Sequence, residues 1–181
     1  MESVIKKPVY DNEPKWFVCY VKSCQERKAA EALLKLGFEC YLPIVREVHQ
    51  WSDRKKIVER LVLPHMIFIH CKPSERVSAV EQVGVLTRFM SDGRGAYHPV
   101  VVPDSQMDAF RAMVESGDRS VAVISTPLAA GDVVVVNEGP LTGYKCQITA
   151  VSGRKCYAVA LGALGTAVME LPASSVTKFK E

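Results

Sequence analysis

The sequence predicts an α+β protein, a front domain built on an antiparallel sheet flanked by helices and then a small β-barrel. Two observations carry that expectation. From residue 15 to residue 117 the chain reads strand, helix, strand, strand, helix, strand, helix, the order of one compact α+β domain. Beyond residue 127, GDVVVVNEGPLTGY (131–144) is followed by KCQITAV, KCYAVAL and TAVMEL, short β-type runs separated by Ser152-Gly153 and by Gly162 and Gly165. A flat sheet of strands that short would bare its edges, so closure into a strongly bent barrel is expected.

After a polar leader (1–14), Trp16 to Val21 is apolar on both faces, with Trp16, Val18 and Tyr20 on one and Phe17, Cys19 and Val21 on the other. It belongs in the middle of a sheet. Ser23 stands three residues before Glu26, the spacing of a capping box. The helix that follows puts Ala29, Ala30, Leu33 and Leu34 on one stripe and ends near Gly37. Cys40 to His49 and Leu61 to Cys71 read as strands, the second apolar on both faces, and Ser74 to Val83, with Val77 and Val80, as a short helix. Val85 to Met90 and Ala96 to Val102 are extended, with Asp92-Gly93 as a turn. Asp104, after Pro103, caps a third helix whose Met107, Phe110, Met113 and Val114 share a face. Residues 118–126 are read as a linker that lets the two modules engage different partners. In the second module (127–181), Val133 to Val136 favour an extended, buried backbone. Gly139, Pro140 and Gly143 then supply the corner: φ freedom, a fixed φ and a second release.

With 181 residues, 48% of them hydrophobic, the chain can bury real cores. A formal net charge of +3 means that any nucleic-acid contact must come from a local patch. The first fifteen residues hold no apolar core of a signal peptide, and no long apolar run occurs, so a cytoplasmic protein with no membrane contact is expected. The six cysteines, Cys19, Cys24, Cys40, Cys71, Cys146 and Cys156, form no C-x-x-C pair and read as free thiols behaving as small apolar side chains. His65 and His70, five apart on one strand, face opposite sides and do not complete a metal site. Cys, His, Ser and Asp are scattered, and Gly93-Arg94-Gly95 lacks the remaining glycine and helix of a nucleotide fingerprint. No catalytic residue, metal or cofactor is expected.

HQWSDRKKIVER (49–60) interrupts two apolar strands with Trp51, Arg54, Lys55, Lys56 and Arg60. Three consecutive cations at a hairpin tip suit phosphates, and an adjacent indole can stack on a base. The plainer reading is a solvated tip, to which Asp53 and Glu59 add opposing charge.

The pattern G-D-x-V-x-V-x-x-G-P-x-x-G resembles the KOW motif of transcription elongation factors and some ribosomal proteins. The string WFVCYVK, the helix after it, LPHMIFI before a second helix, and G-V-x-x-x-F resemble the N-terminal (NGN) domain of the NusG family of transcription elongation factors. The two modules come in the family's order, and the resemblance covers roughly residues 15 to 180. It implies a five-stranded, SH3-like KOW barrel and, within the family, a chain closer to the operon-specific RfaH and UpxY-like antiterminators, which serve operons such as surface polysaccharide clusters. It further implies that Tyr20, Leu63, Phe68 and Phe89 line an apolar depression for the clamp helices of RNA polymerase. Leu63 stands where a family member would show phenylalanine. Lys22, Gln25 and Lys28 match positions that meet non-template DNA, with surface solvation as the plainer alternative. Ser74 to Ser78 falls where the family touches the opposite side of the polymerase cleft. Housekeeping members use a bulky aromatic before the last long strand to meet ribosomal protein S10 or Rho. Here that loop reads Gly162-Ala163-Leu164-Gly165, so either Leu164 substitutes for the aromatic or the interaction is absent.

The function expected is a non-enzymatic elongation and antitermination factor, a monomer when free, which binds RNA polymerase and upstream or non-template DNA. The rival is a ribosome-associated or RNA-binding KOW protein, which would bind RNA tightly without polymerase.

Overall fold

The structure, a computed structural model, describes residues 12–50, 54–94, 98–125 and 131–171. In chain order the elements are β1 (Lys15–Val21), α1 (Glu26–Lys35), β2 (Glu39–Tyr41), β3 (Ile44–Gln50), β4 (Lys55–Leu61), β5 (Met66–Cys71), a 3-10 turn (Pro73–Glu75), α2 (Arg76–Gln82), β6 (Leu86–Phe89), β7 (Val101–Val102), α3 (Asp104–Glu115), β8 (Ala122–Ile124), β9 (Val133–Val135), β10 (Lys145–Val151), β11 (Arg154–Ala160) and β12 (Thr166–Glu170).

The front sheet runs β2-β5-β1-β6, with β7 also paired to β1, and is antiparallel throughout. β1 is central, as its two apolar faces require. Phe17, Cys19 and Val21, with Ile67 and Ile69 of β5, pack under Ala29 and Leu33 of α1 and Ala79 of α2. On the other face Trp16, Val18 and Phe68 meet Met107, Phe110 and Met113 of α3. Each fully buried side chain of this size contributes about 1.5–3 kcal/mol of transfer free energy, so the two faces fix the register of β1.

Several local expectations change. Leu61 to Cys71 is not one strand: β4 ends at Leu61, and a turn with His65 at φ 63° precedes β5. Pro43 likewise divides Cys40 to His49 into β2 and β3, because it has no N–H for a ladder. The Ser23–Glu26 capping box does not form, since Gln25 occupies the N-cap without a side-chain bond. Glu26 is instead buried and accepts the His65 backbone N–H at 3.0 Å, tying α1 to the turn. Asp104 is the first residue of α3, and the N-cap is Pro103.

The second sheet is antiparallel in the order β8-β12-β11-β10-β9. β10 and β11 are joined through Ser152 (φ 50°) and Gly153 (φ 80°), the double positive φ of a tight hairpin turn. The expected closed barrel is not formed among the described residues: β8 and β9 stand at the two edges. The stretch read as a linker supplies β8 (Ala122–Ile124), while Thr126 lies outside the described residues. Val133 and Val135 are exposed rather than buried, and Val134 and Val136 turn inward, the alternation of an edge strand with one wet face.

The two sheets share a buried cluster in which α3 packs against β1, β3 and β11. Polar bonds hold the connection from α3 to β8: Arg60 Nη2, on β4 of the separate β3–β4 hairpin, donates to the carbonyls of Arg119 (3.1 Å) and Val121 (3.2 Å), and the Glu170 N–H of β12 donates to Ser120 Oγ (2.8 Å).

Candidate functional site

The front sheet ends on β6, an edge strand, with α2 packed beside it. Between them opens a cavity of about 670 Å³ whose apolar wall is Tyr20, Val77, Val80, Phe89 and Met90, rimmed by Arg76, Glu81, Arg88 and Ser91. Tyr20, at the end of β1, pairs across to Met66 and Arg88 and is half-buried, with the Arg88 guanidinium 5.3 Å over its ring. Phe89 sits opposite Cys19, and its ring meets Phe17 edge-on at 5.9 Å. Arg76 lies over both phenylalanines, at 5.1 Å from Phe17 and 5.7 Å from Phe89, and its Nε donates to the Pro73 carbonyl at 3.1 Å. Two cation–π contacts and one hydrogen bond therefore set the direction of this guanidinium. Val77 is 65% exposed, so α2 offers the cavity an apolar side chain with nothing over it.

Of the four residues expected to line one apolar depression, the structure brings together only Tyr20 and Phe89. Leu63 (8% exposed) and Phe68 (fully buried) belong to the core cluster on the α3 side of the sheet. Phe68 is sealed by Phe110 at 5.7 Å and Tyr41 at 6.4 Å. The reason is the period of β5: Phe68 pairs with Val18, and side chains there point to the face that α3 covers.

The expected nucleic-acid residues fall in two neighbouring places. Lys22, Gln25 and Lys28 cluster at the start of α1; Lys22 and Lys28 are exposed, and Lys22 Nζ donates to the Gly84 carbonyl at 2.9 Å. Arg54, Lys55 and Lys56 are exposed on the β3–β4 hairpin, and Trp51 lies outside the described residues. An Arg27–Glu59 ion pair ties α1 to this hairpin, and Arg46 also holds Glu59 at 3.2 Å. The Arg27 guanidinium, with Arg46 behind it, keeps the Glu59 carboxyl below the usual carboxylate range.

In the second sheet, Gly139 (φ 85°) and Gly143 (φ 86°) make the expected corner around exposed Pro140, closed by Gly143 N–H to the Val136 carbonyl at 2.7 Å. Leu164 is not presented to a partner. It is buried in the cluster shared with α3, and its loop is pressed against Val100 and Val101 so closely that a Cβ on Gly162 would come 2.8 Å from the Val101 carbonyl oxygen.

Sequence reasoning missed Arg88 and Met90 as site residues; Arg76 and Val77 fell within Ser74 to Ser78, the stretch the family resemblance put against the opposite side of the polymerase cleft, whereas here they line the same cavity as Tyr20 and Phe89. The signal that could have found the cavity was on α2, where Ala79 and Val83 suffice to cover the sheet and Val77, on another side of a seven-residue helix, is left over. Among the described residues no group of three or more His, Cys, Asp or Glu could hold a metal ion, and no helix is long and apolar enough to cross a membrane.

A family model described as "NusG: Transcription termination factor nusG" matches residues 14–111, more than half of the chain. A solved structure described as "Domain interaction in Thermotoga maritima NusG" is 18% identical, covering 87% of this chain and 94% of that one, a loose superposition with a TM-score of 0.42.

Proposed function

This chain belongs to the NusG family of transcription factors, and we propose that it is an elongation and antitermination factor whose front domain seats the tip of the RNA polymerase clamp helices in the Tyr20–Phe89 cavity. The observation that carries the reading is that cavity, an apolar slot at a sheet edge inside the family-matched segment. Burying two or three of its side chains against a helical tip supplies several kcal/mol before association costs, at roughly 1.5–3 kcal/mol per fully buried residue. Leu63 and Phe68, buried in the core on the α3 side of the sheet, are not part of this docking surface.

No catalytic group is needed. A ligand that binds one conformation of the polymerase better than another shifts its population, and a closed clamp pauses and terminates less often. The cations of α1 and of the β3–β4 hairpin then lie on the DNA phosphates near the polymerase. The second sheet is read as the KOW module. A specialised role on a restricted set of operons is supported by its Gly162–Gly165 loop, which has no aromatic and turns its one large side chain, Leu164, into the core.

The test is recovery of RNA polymerase by the full chain and by a Tyr20→Ala, Phe89→Ala variant with an unchanged far-UV circular dichroism spectrum. The proposal expects affinity to fall at least tenfold, since two truncations at about 1 kcal/mol or more each pass the 1.4 kcal/mol that a decade requires. Equal recovery would reject the cavity as the docking site.

A further inference from the structure

Arg76 is a wall with two sides. Across it from the apolar cavity lies a second, smaller one of about 270 Å³, lined by Lys15, Phe17, Arg76, Asp92, Arg94 and His98. Lys15, Arg76 and Arg94 line it with one carboxylate, Asp92, which Arg94 already engages. Arg94 holds Asp92 through Nη2 at 2.6 Å, Nε at 2.8 Å and its backbone N–H at 3.0 Å. Arg76 is oriented in advance: its guanidinium carbon lies 5.1 Å from the Phe17 ring and 5.7 Å from the Phe89 ring, and its Nε donates to the Pro73 carbonyl. A planar guanidinium fixed in this way loses little entropy when its remaining N–H groups take two oxygens of one tetrahedral anion. The space equals that of several waters, at about 30 Å³ each, enough for a phosphate with its ester carbon.

We propose that this cavity is a phosphate-ester site, occupied either by a free nucleotide or by a phosphodiester of a single-stranded nucleic acid running past the start of β1 and the segment that leads into β7. The site goes beyond polymerase docking and is measurable without polymerase.

The experiment follows the backbone amide NMR signals of the full chain during separate titrations with inorganic phosphate, AMP and a short oligothymidylate, with the affinity of a fluorescein-labelled oligothymidylate measured at several salt concentrations. The expected shifts centre on residues 15, 76, 94 and 98. Lys15→Gln with His98→Gln, both at the rim, should weaken the ligand at least fivefold, and Arg76→Gln more, with partial recovery in Arg76→Lys. Should Arg76→Gln unfold the front sheet, the rim pair decides alone. Binding of AMP without the oligonucleotide identifies a nucleotide site. Binding of the oligonucleotide, with the salt slope reduced by about 0.7 for each phosphate-bound cation removed, identifies a strand site. Shifts confined to α1 and the β3–β4 hairpin, an unchanged affinity in the rim pair, or no binding of any of the three probes would overturn the proposal.

Discussion

Phe68→Ala separates a core role from a docking role for a residue that family resemblance places on a binding surface. Phe68 is fully buried, with Phe110 at 5.7 Å and Tyr41 at 6.4 Å. Removing a phenyl ring from such a site costs about 3–5 kcal/mol, because the lost transfer free energy is joined by a cavity that α3 and β1 cannot fully collapse. For a chain of this size that is a fall in Tm of roughly 6–20 °C. Phe89→Ala, at a half-buried position on the open cavity, should cost only about 1 kcal/mol. Urea denaturation followed by far-UV circular dichroism measures both. A Phe68→Ala cost below about 1 kcal/mol, with polymerase recovery reduced as much as by Phe89→Ala, would refute the assignment of Phe68 to the core.

Other expectations concern the turns and thiols. Gly131→Ala should break the pairing of β9 with β10, since the new Cβ would lie 1.8 Å from the Ile148 carbonyl oxygen, whereas Gly139→Ala meets nothing within 4 Å and costs only the left-handed backbone, about 1–2 kcal/mol. Thermal melts rank the two, and a worse Gly139→Ala contradicts the geometry. Glu26→Ala strands the His65 N–H beneath α1 and should cost about 1–3 kcal/mol in urea, most of it recovered in Glu26→Gln, which keeps an acceptor. Burial pushes the Cys19 thiol up to about 12 and those of Cys71 and Cys146 up to about 11. Iodoacetamide at pH 8 should therefore modify exposed Cys24 first, as read by peptide mass spectrometry, and early labelling of Cys19 would show that β1 is not central.

The sequence made β1 and α3 legible because each carries a period that only one environment satisfies: apolar on both faces for a central strand, and Met107, Phe110, Met113 and Val114 at helical spacing for a covering helix. It misread places where a polar atom or a single backbone angle decides. Glu26 looked like half of a capping box and serves instead as a buried acceptor for His65. Leu61 to Cys71 carries Pro64 just before His65, an interruption of the same kind as Pro43, and the apolar residues on both sides of it hid the turn. The site was half legible. Tyr20 and Phe89 face the open cavity, while Phe68 shows the same residue chemistry with the opposite exposure, which depends on what α3 covers much later in the chain. Arg76 was singled out only as part of Ser74 to Ser78, and its place over Phe17 and Phe89 was hidden because those rings come from other elements of the chain.

The docking claim is tested most directly by photocrosslinking. With p-benzoylphenylalanine in place of Val77, whose exposed side chain lines the cavity, irradiation of a transcribing complex should join the chain to the clamp of RNA polymerase, and the same group in place of the exposed Leu34 on α1 should not reach that clamp. Clamp crosslinks from position 34 with none from position 77 would place the contact elsewhere on the molecule.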